Sequence, residues 1–410
     1  MPSTTPARRP SGLHGPTLHG PTRRRPTRRR VLGAGAGLFG AAALTGCGIP
    51  SAYVDEDRRS APDRSESEKR LGFSNWTQYI DVDDDGGRPT LDAFTERTGI
   101  RVAYTEDIND NDEFFGKMGP VLTQGTDPGR DLMVVSDWMA GRYVALGWVQ
   151  AMDRANLPNV TAQLDPQLAD PAFDPGRRRS VPWQSGITGI AYNRKELGRE
   201  IKSVADLWAP DLKGRVTLFA GLDEALGLLM LAQGADISAF TEDQARQAMD
   251  LVQRMVDSRH VRRFTGNDYT SDLASGAALA CQAYSGDAVQ LTAENPDIAF
   301  VVPEEGGELW AESLLIPNRA GHKRNAELLI DHYYQPEVAA ELAAAVQYIC
   351  PVPAAREVLA ASGDREKAEL AEHPLLFPTE EMRARLHSMR DVGSAERPGL
   401  HKVWTRITGV

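Results

Sequence analysis

The stretch Asp131-Leu132-Met133-Val134-Val135-Ser136-Asp137-Trp138 joins a continuous apolar run to a helical pattern that stops at Gly147. Short runs of large apolar residues are typical of strands that are buried on both faces of a sheet. Strand and helix patterns alternate on either side of it. One helix is predicted to end at Gly99, and the capping box Thr241-Glu242-Asp243-Gln244 opens a longer one. This alternation predicts an α/β architecture with parallel or mixed sheets.

Charge is unevenly distributed along the 410 residues. Residues 1–46 contain eight Arg and no acidic residue. The rest of the chain therefore holds 38 of the 46 basic residues against all 57 acidic ones, a net charge of −19. Such an acidic surface disfavours nucleic acid as a partner and attracts small cations into clefts. The length after the N-terminal region, about 360 residues, exceeds one compact core and favours two lobes.

The N-terminal region has the layout of an export signal. Arg28-Arg29 stand ahead of Val31-Leu32, and an apolar run leads to Leu44-Thr45-Gly46-Cys47. The run is about fifteen residues long, shorter than the roughly twenty that cross a bilayer. The arginine pair resembles a twin-arginine signal, and the last four residues resemble a bacterial lipobox. These resemblances imply a signal peptide over 1–46, a lipid on Cys47 at the outer face of the cell membrane, and a flexible tether over 47–70.

Two further cysteines, Cys281 and Cys350, leave a disulfide open because an exported protein meets oxidising conditions. Twin-arginine substrates fold in the reducing cytosol before export, which argues against a bond required for folding. We therefore favour two buried free thiols.

Aromatic residues recur where strands or helices are predicted to end, and carboxylates accompany them at Glu224 and Glu312. Aromatic rings attract organic cations, with about 0.5–2 kcal/mol for each contact. A carboxylate forms a charge-assisted hydrogen bond with an ammonium group. The combination predicts a site for a slender chain that carries amines at its ends and methylenes between them. The segments that carry these aromatic residues are 73–79, 134–138, 283–287, 308–313 and 347–351.

Across nearly all of residues 71–410, the order and spacing of several motifs resemble the spermidine/putrescine-binding proteins of ABC importers. The first motif is Asn75-Trp76-Thr77-Gln78-Tyr79, and a later one is Trp310-Ala311-Glu312-Ser313-Leu314. The other motifs cover residues 94–102, 131–136, 181–183, 189–193, 205–214, 303–307 and 316–317.

The resemblance implies a two-lobed periplasmic-binding-protein-like fold of type II, with a hinge and a cleft between the lobes. One lobe is expected over 71–184 with 314–372, and the other over 185–313 with 373–410. The hinge is expected near residues 183–186 and 314–317. The implied function is capture of a polyamine outside the cell for an ABC permease and its cytoplasmic ATPase. A monomer without catalytic activity, cofactor, metal or nucleic-acid partner is expected.

Carried over position by position, the resemblance implies a ligand site of aromatic, hydroxyl and acidic residues. Three departures leave the choice among putrescine, spermidine and another amine open. Gly221 stands where the family usually has an acid, Ser388-Met389 replace an aromatic-Gln pair, and Glu312 replaces a residue that is often Asp. The implied site residues are Trp76, Tyr79, Ser136, Trp138, Glu224, Tyr284, Trp310, Glu312 and Tyr348.

Other interpretations stay open. The acidic segment from Asp81 to Asp92 resembles a calcium loop, although an acidic surface turn is favoured because Arg88 and Pro89 break the pattern. Paired acids beside aromatic walls also suit a glycosidase. In that interpretation the pair is Glu224 and Glu312, or the adjacent acids at 304 and 305. A binding protein for another cationic or small solute and an adhesive lipoprotein are the remaining alternatives.

Overall fold

The computed structural model of the protein describes residues 61–393 and 395–409. The expected signal peptide, Cys47 and the first part of the expected tether lie outside these residues. The last part of that tether is held by the folded chain, because Asn325 Nδ2 donates to the carbonyls of Glu68 and Arg70, both at 2.9 Å. The folded part therefore begins before Leu71.

Ten strands form one mixed sheet in the described part of the chain. Its order is β2-β1-β3-β9-β4-β7-β5-β6, with β10 beside β9 and β8 beside β4. The strands are β1 (Arg70–Trp76), β2 (Arg101–Ile108), β3 (Leu132–Ser136), β4 (Ser180–Asn193), β5 (Val216–Phe219), β6 (Val261–Thr265), β7 (Ala280–Tyr284), β8 (Ile298–Val301), β9 (Gly307–Leu315) and β10 (Leu386–His387).

Two long antiparallel strands run through the middle of the sheet. β3 pairs with the end of β9 at residues 312–315, and β4 pairs with β9 over residues 180–188. The far end of β4, residues 188–193, pairs with β7 and β8 instead. On one side β1, β2 and β3 are parallel, and on the other β5, β6 and β7 are parallel. β4 and β9 therefore connect two parallel half-sheets.

Helices follow most strands, as the alternating sequence pattern predicts. They are α1 (Pro89–Thr98), α2 (Asn111–Gln124), α3 (Asp137–Ala145), α4 (Pro158–Gln163), α5 (Arg194–Leu197), α6 (Leu222–Leu231), α7 (Glu242–Asp257), α8 (Tyr269–Ala274), α9 (Ser285–Glu294), α10 (Lys323–Tyr333), α11 (Pro336–Val346), α12 (Ala355–Ala361), α13 (Arg365–Ala371), α14 (Glu380–Arg383) and α15 (Arg397–Thr408). Short 3₁₀ turns cover Arg154–Asn156, Pro166–Leu168, Val204–Trp208 and Pro210–Leu212.

Local signals explain several boundaries. α1 ends at Gly99, whose φ of 71° is the left-handed conformation that glycine adopts at low cost. α7 starts with the predicted capping box, in which the Thr241 hydroxyl accepts from Gln244 N and the Gln244 side chain accepts from Thr241 N. α3 begins one residue before Trp138, directly after β3, so Ser136 and Trp138 lie where a strand meets a helix.

Two large apolar clusters lie at opposite ends of the sheet. One gathers residues from 71–183 and 314–371, including Phe94 and Leu329. The other gathers residues from 190–298 and 392–407, including Leu229 and Trp404. Cys281 belongs to the second cluster and Cys350 to the first, and both are buried free thiols. Among the described residues, no helix is both long enough and apolar enough to cross a bilayer.

Candidate functional site

The pairing of β3, β9, β4 and β7 places predicted site residues on one face of the sheet. Ser136 lies opposite Glu312 across β3 and β9. Trp310 and Glu308 follow on the same face of β9, since strand side chains alternate with a period of two. Thr188 of β4 lies opposite both Glu308 and Tyr284 of β7. Because side chains of directly opposite residues are neighbours, this face forms one continuous patch.

Glu312 lies on β9, directly opposite Ser136, and is only 8% exposed. Its carboxylate accepts a hydrogen bond from Trp76 Nε1 at 2.9 Å and another from the Ser136 hydroxyl. Asn111 in turn donates to Ser136 Oγ at 2.8 Å, which orients the hydroxyl toward the acid. Burial raises the pKa of Glu312 to about 8, although the bonds from Ser136 and Trp76 favour the ionised form. The structure thus brings together Trp76, Ser136 and Glu312, as predicted.

The ring of Trp310 lies over Gly186 of the neighbouring strand β4, and the glycine leaves space for it. A Cβ atom on Gly186, directly opposite Trp310 on β4, would lie 2.3 Å from the indole ring. The ring of Trp310 packs edge-on against Tyr284, with centroids 5.4 Å apart, and at a tilt against Tyr348, with centroids 5.7 Å apart. The Trp310 Nε1 atom is buried without an acceptor in the described part of the chain. The indole N–H of Trp310 can therefore donate a hydrogen bond to a ligand that lies beside the rings of Tyr284 and Tyr348.

Tyr348 connects the ring of Trp310 to that of Tyr79, which follows β1 of the first half-sheet. Its ring lies 5.6 Å from that of Tyr79, and a Cβ atom on Gly286 would lie 2.3 Å from it. The Tyr348 hydroxyl donates to Asp287 at 2.8 Å, and the Tyr269 hydroxyl donates to the other oxygen of that carboxylate. Burial raises the pKa of Asp287, against the effect of these two hydrogen bonds. The predicted residues Tyr79, Tyr284, Trp310 and Tyr348 thus form one chain of ring contacts.

Glu224 lies in the first turn of α6 and is half-buried. Burial raises the pKa of its carboxyl to about 7, and the adjacent Asp223 carboxylate adds to the rise. The structure also shows why the chain has glycine at 221. A Cβ atom there would lie 1.9 Å from Glu224 Oε2, so the Glu224 carboxylate occupies the space that a side chain at position 221 would need.

Trp138 was predicted to line the ligand site, but its ring packs against a basic side chain. The Arg397 guanidinium of α15 lies over its ring, 4.9 Å from the centroid, and the same guanidinium forms two bonds with Asp223 at 2.7 and 2.8 Å. In this conformation a face of Trp138 is covered by Arg397, which neutralises Asp223. No sequence motif indicates Arg397, because it lies far along the chain from Trp138 and Asp223.

Four carboxylates lie close enough to the hydroxyl of Tyr284 to raise its pKa. They belong to Glu224, Asp287, Glu308 and Glu312. Burial raises the pKa of Tyr284 well above its ordinary value, and the four negative charges add to that rise. Across residues 61–393 and 395–409, no Lys or Arg forms an ion pair with any of these four acids. The site therefore concentrates carboxyl groups beside aromatic rings, and within the described residues none of the four is paired with a basic side chain.

Residues 90–378 match the family of bacterial extracellular solute-binding proteins. The chain belongs to this family. The match covers strands of both half-sheets, though not β1, and includes every predicted ligand-site residue except Trp76 and Tyr79.

The curated relatives of this solute-binding protein confirm the resemblance noted in its sequence. It is 28% identical over 360 residues to the spermidine/putrescine-binding periplasmic protein 1 of Haemophilus influenzae, covering 87% of this chain and 93% of the relative. It is 27% identical over 356 residues to the spermidine/putrescine-binding periplasmic protein of Escherichia coli, with the same coverage.

Solved structures confirm the fold class. The spermidine/putrescine substrate-binding protein of Streptococcus pneumoniae superimposes with a TM-score of 0.70 at 24% identity, covering 83% of this chain and 98% of that one. A lipoprotein of Treponema pallidum superimposes with a TM-score of 0.69 at 21% identity, covering 83% and 100%. The solute-binding protein thus has the expected α/β fold of periplasmic binding proteins.

Two acids of the solute-binding protein's site, Glu308 and Asp287, were missed as ligand candidates. The signal for Glu308 is the spacing Glu308, Trp310, Glu312, which places all three on one face of a strand. Asp287 is recognisable only through its contacts with Tyr269 and Tyr348, which are distant in sequence.

The acidic segment that resembles a calcium loop uses its carboxylates locally. Asp81 accepts hydrogen bonds from the backbone N and the hydroxyl of Thr90, next to the start of α1. Asp83 Oδ1 accepts from Gly87 N at 2.6 Å and from Asp85 N at 3.1 Å. Within the described residues, no group of three acidic, His or Cys side chains is arranged to hold a metal ion.

Proposed function

We propose that this solute-binding protein captures a polyamine outside the cytoplasmic membrane and delivers it to an ABC permease. The observation that carries the proposal is the set of acids Glu224, Glu308 and Glu312 around the Tyr284 ring, which packs against Trp310, with no basic partner in the described chain. Burying unpaired carboxylates is unfavourable, and they are stabilised only by a proton or a cation. A polyamine supplies several ammonium groups and a methylene chain for the rings. The similarity to spermidine/putrescine-binding periplasmic proteins supports this ligand class.

The ligand would close the cleft between two lobes because residues of both lobes would contact it at the same time. Trp76 and Ser136 belong to the first half-sheet, while Tyr284 belongs to the second and Glu224 to α6, which follows β5. We propose two lobes, 71–184 with 314–372 and 185–313 with 373–410. The separation of the two large apolar clusters supports this division. β4 and β9 would serve as hinge strands because they pair with each other, while β9 also pairs with β3 of the first half-sheet and β4 with β7 of the second. Closure then follows from stronger binding in the closed state.

Export and anchoring complete the proposal. We propose that the chain leaves the cytosol by its twin-arginine signal and is lipidated at Cys47, acts as a monomer, and catalyses no reaction. The motifs at Arg28-Arg29 and at residues 44–47 support this route. Replacing Cys47 by Ser removes the thiol that would carry the lipid, so the variant should no longer incorporate a labelled fatty acid, and continued labelling would contradict this route.

Heating the protein with and without amines tests ligand capture. A ligand present at a hundred times its dissociation constant stabilises the folded state by ~2.7 kcal/mol, so spermidine or putrescine should raise the melting temperature. The control is 1,4-butanediol, which resembles putrescine in length but carries no charge. No shift with any di- or polyamine would refute the proposal.

Replacing Trp310 by Leu should weaken amine binding while leaving the fold intact. Leucine keeps an apolar contact but lacks the ring quadrupole, so the expected loss is about 0.5–2 kcal/mol. The matched control is Trp208→Leu, since Trp208 packs half-buried against the cluster of the second half-sheet, away from the site. We expect that control to lower the melting temperature and to leave affinity unchanged. Titrations of both variants with spermidine decide the matter, and equal affinity losses would contradict the assignment.

A further inference from the structure

Glu308 is a buried acid that the resemblance does not assign to the ligand site. Its side chain lies on β9 and is 7% exposed. Its Oε2 atom accepts no hydrogen bond from any described residue. A buried carboxylate oxygen without a donor is unfavourable, because desolvation is not compensated. The group therefore needs a partner that is not part of the described chain.

The position of Glu308 identifies where that partner would lie. A Cβ atom on Gly227 would be 2.0 Å from Glu308 Oε2, so the carboxylate rests against the backbone of α6. Glu224 and Gly227 are three residues apart on that helix and share a face. The Glu308 carboxylate thus lies on the helix face that also carries Glu224. Burial raises the pKa of Glu308 well above its ordinary value, and the charges of Glu224 and Asp223 add to the rise.

We propose that Glu308 and Glu224 together hold one ammonium group of the ligand, and that Glu308 is a specificity-determining residue of the site. This inference rests on the proposed polyamine function. Arg397 already neutralises Asp223, whereas Glu224 and Glu308 act on each other and have no ion pair with any basic residue in the part of the chain that the structure describes. One ammonium group donates up to three hydrogen bonds and can pair with both carboxylates.

The same arrangement sets the direction of the ligand. Glu308 and Glu312 are four residues apart on β9, which is about 13 Å along a strand. Trp310 lies between them on the same face. A second ammonium group pairs with Glu312, and the methylenes between the two cations lie over the Trp310 ring. The ligand therefore runs along β9, and its class is a linear amine with at least two cationic groups.

The test is a calorimetric titration of the Glu308→Gln variant with spermidine and with putrescine. We expect at least a tenfold loss of affinity for spermidine and a smaller loss for putrescine, because the four-carbon chain of putrescine is too short to pair with Glu308 and Glu312 at once across about 13 Å. The matched control is Glu304→Gln, because Glu304 is an exposed acid of the turn that precedes β9, and it should bind within twofold of the unchanged protein. Repeating the titrations in buffers with different heats of ionisation counts released protons. The Glu308→Gln variant should release fewer protons than the unchanged protein, which a purely structural role would not produce.

A second variant, Gly227→Ala, keeps the charge of Glu308 but displaces its carboxylate. Gly227→Ala places a methyl group where Glu308 Oε2 lies, so it should weaken binding several-fold without removing an acid. This variant decides the matter if Glu308→Gln does not fold. Unchanged affinity and proton release in the variants, with normal binding by the unchanged protein, would overturn the role of Glu308 and leave the proposed function standing. Failure of the unchanged protein to bind either amine would instead refute the proposed function itself.

Discussion

Replacing Glu312 by Gln should produce the largest loss of polyamine affinity of any single substitution in this protein. Removing one partner of a buried, hydrogen-bonded charge pair costs about 2–5 kcal/mol, which corresponds to roughly 30-fold to several thousand-fold in affinity. The shape of the side chain is preserved. Its carbonyl oxygen can still accept from Trp76 Nε1, and the Ser136 hydroxyl can reverse to accept from the new amide. The loss would therefore report the charge rather than a packing defect.

The measurement is a titration of Glu312→Gln with spermidine and putrescine beside the Glu304→Gln control. The melting temperature of the ligand-free variant should equal or exceed that of the unchanged protein, because a buried unpaired carboxylate has been removed. Unchanged affinity in Glu312→Gln would mean that the residue is not a ligand-binding acid or that the ligand is not a cation.

Raising the pH from 5.5 to 8.5 should strengthen polyamine binding on the order of 100-fold or more, since each carboxyl that must lose a proton contributes up to tenfold per pH unit below its pKa. Burial raises the pKa of Glu224 to about 7 and that of Glu312 to about 8. Below these values both groups carry protons, and a bound cation must displace them. The terminal amines of the ligand stay charged throughout, as a lysine-like amine has a pKa near 10.

The ligand-free protein should show the opposite trend in stability. A carboxyl whose pKa is higher in the folded than in the unfolded state stabilises the fold fully below its unfolded pKa, about 4.5. This contribution is lost as the pH rises through about 7 for Glu224 and about 8 for Glu312. The ligand-free melting temperature should therefore fall between pH 5 and pH 8, while the shift produced by spermidine grows. An affinity that is flat or falls with rising pH would contradict the assignment of these acids.

Much of the site could be predicted because its residues stand at the ends of recognisable elements. Trp76 ends β1, Ser136 ends β3, and Tyr284 ends β7. The carboxyl ends of strands are where α/β sheets place their ligands, so these residues were expected to meet. Thr241 and Gly99 marked helix boundaries through local hydrogen bonding and backbone conformation, which depend on neighbours in sequence alone.

The remaining features depend on contacts between segments that are distant in sequence. Gly186 and Gly286 make room for Trp310 and Tyr348, and no local pattern marks a glycine as the space for a particular ring. Arg397 reaches Trp138 only because α15 folds back toward α3. Asp287 could be recognised only from the folded chain, because the hydroxyls of Tyr269 and Tyr348 that bond it come from other elements.

The central claim is that this solute-binding protein binds a cationic, amine-bearing chain. The most direct measurement is a calorimetric titration at pH 8 with spermidine and putrescine, and with 1,4-butanediol as the uncharged counterpart. We predict saturable binding of one amine molecule per chain, with release of protons, and no heat from the diol. Absence of binding by either amine, or equal binding of putrescine and 1,4-butanediol, would contradict the account.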